Sequence, residues 1–216
     1  MEFEKSFSQT KSPFLSYLSS YTKKMKGELK EEAKINYRDA VVSSIGGLIA
    51  IIISSAIALA LGYPMALAPI GATCVLVFGA HKGPLSQPRH VLGGHLLATV
   101  SALIIWSLFH RSLITIAIVL AFVLILMILT KTVHPPAAAS AIVAINTGAG
   151  WGFLGVIILC ACVVVLISTV YNNLFQDRQY PRYWILKKAL EYKIPKLFSF
   201  TLISLIKLFY ALSILF

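Results

Sequence analysis

The chain has 216 residues, of which 58% are hydrophobic and only 12% are charged, whereas a soluble domain carries about a quarter charged residues. This composition excludes an ordinary soluble domain and predicts an integral membrane protein. The formal net charge of +11 arises mainly before residue 39 and after residue 177. It therefore indicates cytoplasmic segments that face anionic lipids rather than a surface for a nucleic-acid partner.

The cysteines carry no sign of redox or metal chemistry. Cys74, Cys160 and Cys162 lie inside apolar runs, and none has the spacing of a CxxC or a Cys/His metal motif. We interpret them as small packing residues. The sequence predicts no metal site, no cofactor and no catalytic residue.

The chain opens with a polar arm and a first membrane span. Residues 1–39 mix basic and acidic side chains, and we expect a cytoplasmic arm that ends in a surface helix around residues 27–39. Residues 40–61 match the roughly 20 apolar residues that a bilayer-spanning helix needs. Gly62-Tyr63-Pro64 then predicts the end of that span.

A short apolar segment and a polar loop follow the first span. Residues 65–80 are too short for an ordinary span and contain Pro69 and Gly71, so they form either a broken crossing or a re-entrant half-helix. Residues 81–90 are the longest polar stretch inside the membrane domain, and their prolines favour a defined loop. We expect His81 and His90 of this loop to lie at the surface.

Three further spans complete the predicted bundle. They are apolar runs at residues 91–109, 113–130 and 151–170. Between the last two lie His134-Pro135-Pro136 and a segment of small residues that ends at Gly150. The two prolines suit the first turn of a helix, where a missing N–H group matters least.

The residues after the fourth long span are first polar and then apolar. Residues 171–196 form a basic closing segment, and residues 197–216 form an apolar tail that Lys207 interrupts. This tail is either an extra span or an interfacial helix.

The membrane domain, residues 40–170, divides into two similar halves. Residues 40–109 and 112–170 each contain a long span, a short segment with proline, and a second long span. Matching interrupted segments in two halves are typical of a transporter's binding site. Six crossings place the basic loops on one side, as the positive-inside rule favours, and invert the halves; four crossings make them parallel. We predict an all-α, polytopic helical bundle with four long spans and two short proline-containing segments.

Ordered motifs run through the membrane domain. They are Pro69-Ile70-Gly71-Ala72; Pro84-Leu85-Ser86-Gln87-Pro88-Arg89 followed by Gly93-Gly94-His95; His134-Pro135-Pro136; and Tyr171-Asn172-Asn173 with Tyr180-Pro181-Arg182-Tyr183-Trp184. Together they resemble the HPP family of integral membrane proteins, over residues 37–184. Ala138 departs from the pattern, since many members have glycine there. The resemblance implies a four-spanning membrane protein and, for some members, transport of nitrite.

Several residues are candidate ligands for an anion. A helix that begins at Pro135 would present free N–H groups and a positive dipole end beside His134, and residues 69–73 would present a second such end. Imidazole can also shuttle a proton, and an ionisable group within a span, such as His95, marks a pathway. The predicted substrate-binding residues are His134, His95, Arg89, Thr73, Ser140, Gly71, Thr132, Gln87 and Asn172, and the predicted structural residues are Pro69, Pro88, Pro135, Pro136 and Gly94.

The sequence predicts a transporter or channel for a small inorganic anion such as nitrite, with proton coupling as an option. No acidic residue lies between Asp39 and Asp177, which disfavours a cation carrier. A non-transporting scaffold or sensor and an intramembrane enzyme that uses a histidine stay as alternatives. We expect a bacterial inner-membrane location, a cytoplasmic N-terminus, contact with membrane lipids, and a homo-oligomer that encloses the pathway.

Overall fold

The structure is a computed structural model that describes residues 13–26 and 35–184. Within those residues the chain is helical, with seven α-helices, two short 3-10 helices and no strand. Most of the predicted surface helix at residues 27–39, the closing segment after residue 184 and the tail at residues 197–216 lie outside the described residues.

The arm contains a helix that its mixed charge pattern did not predict. Helix α1 spans Pro13–Met25, begins with a proline and carries Lys23 and Lys24 in its last turn. Basic side chains at that position interact favourably with the negative end of the helix. Tyr17 and Tyr21, one turn apart, stack with their ring centroids separated by 6.5 Å.

Six helices form the membrane domain, and they confirm the prediction of four long spans and two short segments. The helices are α2 (Tyr37–Ala60), α3 (Leu67–Gly79), α4 (Pro88–Leu108), α5 (Leu113–Thr130), α6 (Pro135–Thr147) and α7 (Trp151–Asn172). Helices α2, α4, α5 and α7 are long and apolar enough to cross a membrane. Helices α3 and α6 have 13 residues each, which corresponds to a length of about 20 Å.

Local chemistry explains where these helices begin and end. Pro88 and Pro135 occupy the first turns of α4 and α6, where a helix tolerates a missing N–H group. Lys131 (φ 55°) and Gly148 (φ 60°) follow α5 and α6 in the left-handed conformation that closes a helix. Helix α4 therefore starts at its proline, before the apolar run from which its span is predicted.

Contacts at both ends of the bundle show that α2 and α7 run antiparallel. Near the start of α2, Tyr171 Oη of α7 donates a hydrogen bond to Val42 O (3.0 Å). Beyond the end of α2, the ring of Tyr63 lies against Gly152 at the start of α7. The two helices thus extend beside each other along their full lengths.

The two short helices also extend from one end of the bundle toward the other. Helix α3 ends where α2 begins, since Ser43 Oγ donates to Phe78 O (2.9 Å). Helix α6 begins against Gly94 in the second turn of α4 and ends with Gly148 against Trp106, near the end of α4. The six helices alternate in direction, which agrees with the six-crossing topology and inverts one half relative to the other.

One end of the bundle carries most of the charged residues of the described membrane domain. We call it the basic end, and it consists of residues 37–39, 80–90, 131–134 and 173–184. At the opposite end, Arg111 donates to Asn146 O (2.9 Å).

The centre of the bundle lies between α4 and α6, which make the most extensive helix–helix contact among the described elements. Small side chains let two helix backbones approach closely in a membrane protein. The alanines of these helices that are fully buried are Ala98, Ala102, Ala137, Ala141 and Ala144. Helices α2 and α5, by contrast, leave most of their apolar side chains partly or fully exposed.

Candidate functional site

Four polar side chains from three helices meet inside the bundle. Thr73 lies on α3 and His95 lies on α4, whereas His134 immediately precedes α6 and Ser140 lies in its second turn. All four side chains are fully buried. His95 Nε2 and His134 Nε2 both lie within hydrogen-bonding distance of Thr73 Oγ1, at 2.9 and 3.2 Å. Ser140 Oγ lies 2.8 Å from His95 Nδ1. We call these four residues the histidine cluster.

Two backbone carbonyls complete the hydrogen bonds of the cluster. His134 Nδ1 lies 2.9 Å from Leu85 O, in the loop before α4. Thr73 Oγ1 donates to Pro69 O, one turn earlier in α3, at 2.9 Å. A carbonyl oxygen only accepts, so each of these two contacts requires a hydrogen atom on the cluster side.

The cluster has one contact more than its neutral side chains can satisfy. Five contacts need five hydrogen atoms, but Thr73, Ser140 and two neutral imidazoles supply only one each. One added proton satisfies all five contacts, and only in one way. His134 then carries hydrogen on both ring nitrogens, Thr73 donates to the carbonyl, and His95 Nε2 donates to Thr73. The geometry therefore favours His134 as the place for an extra proton.

A close approach of two backbones brings the histidines together. A Cβ atom on Gly94 would lie 2.7 Å from His134 Cβ and 3.1 Å from Thr132 O. Helix α4 therefore reaches the start of α6 only because residue 94 has no side chain. The ring centroids of His95 and His134 are 5.2 Å apart, in an edge-on arrangement.

The first turn of α6 lacks the free N–H groups that its sequence predicts. Its two prolines have no N–H group, and Ala137 N donates to His134 O (3.0 Å). The expected second helix end is also not at the cluster, because α3 begins at Leu67 and Thr73 joins through its side chain. An anion at this site would bind to imidazole N–H groups rather than to backbone donors.

Arg89 and Thr132 interact with the end of α5. Arg89 Nη2 donates to Thr130 O (2.7 Å), and its Nε donates to Lys131 O (3.4 Å). Thr132 Oγ1 lies 2.7 Å from Thr130 Oγ1. A guanidinium that binds the last carbonyls of a helix stabilises the helix end, so these contacts explain Arg89 without an anion.

Three other predicted ligands lie apart from the cluster. Gln87 donates to two carbonyls of the preceding loop and accepts the N–H group of Arg182 (2.7 Å). Asn172 donates to Ser168 O, one turn earlier on α7 (2.9 Å). Gly71 lines an apolar groove between α2 and α3. Gln87 and Asn172 thus stabilise the backbone around the bundle, and Gly71 belongs to its outer surface.

A second buried network surrounds Arg178 at the basic end, and no motif in the sequence points to it. The guanidinium of Arg178 contacts Asp39 Oδ1 (3.1 Å), Phe78 O (3.1 Å) at the end of α3, and His81 Nδ1 (3.0 Å), and it also donates to Ser43 Oγ. We call Arg178, Asp39, Ser43 and His81 the arginine network. Burial, followed by the charge of Arg178, holds the pKa of His81 below its usual range.

His81 and His90 are buried, so the prediction that they lie at the surface is wrong. The reason is the closing segment, which folds over the loop that contains His81 and over the first turn of α4 that contains His90. Tyr183 Oη lies 3.3 Å from His90 Nε2, and the fully buried Tyr180 donates to Ser86 O (2.9 Å). Among the described residues, no group of three or more His, Cys, Asp or Glu side chains is placed to hold a metal ion.

All the motifs that carry the family resemblance, except the closing one at residues 171–184, contribute to the histidine cluster. The motif at residues 69–72 contributes Pro69 O, and the motif at residues 84–89 contributes Leu85 O. The Gly93-Gly94 pair positions His95, and the His134-Pro135-Pro136 tripeptide supplies His134. The family model of the HPP transmembrane region matches residues 32–181. The chain belongs to the HPP family.

Two curated relatives of this HPP protein are transmembrane proteins of Dictyostelium discoideum. One is 27% identical over 181 residues, which cover 78% of this chain and 58% of the relative. The other is 33% identical over 122 residues, which cover 52% of this chain and 43% of the relative. The chain therefore spans about half the length of these relatives. No solved structure matches it.

Proposed function

We propose that this HPP protein is a transporter or channel for a small inorganic anion such as nitrite. We further propose that the movement of the anion is coupled to the movement of a proton. The observation that carries the proposal is the convergence of His95 Nε2 and His134 Nε2 on one buried oxygen atom, Thr73 Oγ1. Two ring N–H groups that point at one oxygen form a donor pair that suits an oxyanion.

The charges around the cluster favour an anion over a cation. The sequence has no acidic residue between Asp39 and Asp177, and Asp39 forms an ion pair with Arg178 at the basic end. An anion inside the bundle therefore meets no carboxylate, and a protonated histidine attracts it. A cation would find no opposite charge at the cluster.

The proposal includes an orientation in the membrane. The basic end faces the cytoplasm, because loops rich in lysine and arginine are retained on that side. The N-terminus is then cytoplasmic, and the membrane that we propose is a bacterial inner membrane. We also propose a homo-oligomer, in which the exposed apolar faces of α2 and α5 contact lipid or another copy.

One contact favours a second candidate function, an intramembrane enzyme. Ser140 Oγ and His95 Nδ1 are 2.8 Å apart, which is the spacing of a nucleophile and its general base. The group on the far side of His95 is the hydroxyl of Thr73 rather than a carboxylate. Covalent labelling of Ser140 by a fluorophosphonate would support the enzyme.

Anion flux into liposomes tests the transport proposal. Vesicles that contain the purified protein should take up nitrite or a similar small anion faster than protein-free vesicles. His134→Ala and His95→Ala should each reduce the flux by about tenfold or more, because each removes a hydrogen bond to a charged group. His110→Ala, at an exposed position of the opposite end, is the matched control and should transport normally. Proteoliposomes no more permeable than protein-free vesicles, across a panel of anions and pH gradients, would contradict transport and favour a scaffold or sensor.

A further inference from the structure

We propose that the histidine cluster binds one monovalent oxyanion together with one proton, so that transport is electroneutral. This inference rests on the proposed transport function and specifies the charge of its cargo. It starts from Thr73 Oγ1, the oxygen on which both Nε2 atoms converge. A bound oxyanion accepts hydrogen bonds from both Nε2 atoms in place of Thr73 Oγ1, and the turn of α3 that carries Thr73 moves away to admit it.

The partners of the two rings determine how many protons accompany the anion. An oxyanion only accepts hydrogen bonds, so both Nε2 atoms must carry hydrogen. His134 Nδ1 faces Leu85 O, a second acceptor, so His134 carries hydrogen on both nitrogens and is an imidazolium. His95 Nδ1 faces Ser140 Oγ, which can donate, so His95 stays neutral. The loaded site therefore contains one added proton, and that proton lies on His134.

The surrounding groups supply no other counter-charge. On the elements around the start of α6, the described titratable or charged side chains are those of His95, His90 and Arg89 on α4, Cys74 on α3, His81 and Lys82 in the loop before α4, Lys131 after α5, and Asp177, Arg178, Tyr180, Arg182 and Tyr183 in the closing segment. Only Asp177 among these groups is a carboxylate at neutral pH, and it is largely exposed and lies 3.6 Å from Arg38 at the basic end. Only the anion can therefore neutralise the imidazolium of His134.

Charge balance then selects the cargo. A buried imidazolium without a partner is strongly unfavourable, and so is a buried anion without one. The two charges enter together because each removes the penalty of the other. A divalent oxyanion would leave one negative charge unpaired, so the site favours nitrite, nitrate and other monovalent oxyanions over sulfate.

The test measures anions and protons in the same proteoliposomes. The full-length protein is reconstituted into vesicles that contain a pH-sensitive dye, and nitrite and nitrate are added separately while potassium and valinomycin set the membrane potential. Protein-free vesicles run in parallel, because the conjugate acid of nitrite crosses lipid by itself. We expect about one proton per anion, a rate that the membrane potential does not change, and no uptake of sulfate.

Two variants locate the proton. His134→Gln keeps a hydrogen-bonding side chain but cannot hold an extra proton, so proton-coupled uptake should be lost. His95→Gln replaces a rigid ring N–H donor with a flexible amide and leaves His134 in place, so the anion should bind more weakly while the ratio stays at about one proton per anion. His110→Gln is the control and should match the wild type. If His134→Gln does not fold, the ratio measured with the wild type decides alone.

The outcomes separate this inference from the proposed function. Anion flux that depends on the membrane potential, or that proceeds without protons, would overturn the inference and leave anion transport standing. Normal proton coupling in a folded His134→Gln variant would overturn it as well. No anion flux above that of protein-free vesicles would overturn the proposed function and the inference with it.

Discussion

The histidine cluster and the arginine network are both buried and polar, yet they treat charge in opposite ways. Arg178 lies 3.1 Å from Asp39 and also donates to a helix-end carbonyl, so its permanent charge has a permanent partner. His95 and His134 are ionisable but have no acidic partner within the described bundle. A buried charge that is paired with an opposite charge of the protein indicates a structural role. A buried ionisable group without such a partner suits the binding of a charged ligand.

The largest expected effect is the loss of stability on removing the charge of Arg178 from the arginine network. Arg178→Met should lower the free energy of unfolding by about 3 kcal/mol, the low end of the range for breaking a buried ion pair. The low end applies because the partner carboxylate of Asp39 is 41% exposed. Thermal unfolding in detergent measures the change.

A surface ion pair at the same end is the control for Arg178. Arg38 lies 3.6 Å from Asp177, and both side chains are largely exposed. Arg38→Gln should therefore change the unfolding free energy by less than about 0.5 kcal/mol. Equal losses in the two variants would show that the burial of Arg178 does not matter.

The next effect concerns the backbone approach that builds the histidine cluster. Gly94→Ala places a Cβ atom 2.7 Å from His134 Cβ, and neither neighbouring backbone can yield easily. We expect a loss of about 1–3 kcal/mol in unfolding free energy, typical of overpacking, together with reduced anion flux. Gly155→Ala is the control, because its Cβ atom would meet nothing within 4 Å. A fully stable Gly94→Ala protein with normal flux would contradict the proposed role of the glycine.

The smallest effect is a pH dependence of the arginine network. The pKa of His81 is lowered in the folded protein by burial and by Arg178, so the unfolded chain takes up a proton first as the pH falls below about 6.5. Stability should therefore decrease as the pH falls from that value through the folded-state pKa. His81→Gln should flatten this part of the curve of melting temperature against pH. An unchanged slope in the variant would exclude His81 as its source.

The candidate site could be predicted only in part. His95 and His134 are predicted because an ionisable side chain inside an apolar span is costly. Ser140 is predicted as a hydroxyl donor and Thr73 as part of a second set of backbone donors, whereas the structure brings Thr73 to the cluster through its side chain. Arg89 and Gln87 are also predicted as anion ligands from their residue type. In the structure, however, the hydrogen bonds of Arg89 stabilise a helix end and those of Gln87 stabilise a loop. Residue type states what a side chain can bind, whereas only the neighbours decide what it does bind.

The chain's own residues determined the membrane class, the four long spans, the two short proline-containing helices and the absence of acids from the core. These features follow from local composition and from the length that a bilayer requires. The tertiary structure alone decided that His95 and His134 converge on Thr73, that the prolines leave no donors at the start of α6, and that Arg178 is buried against Asp39. Each of these results depends on helices distant in sequence, and their separation is set by packing at residues such as Gly94.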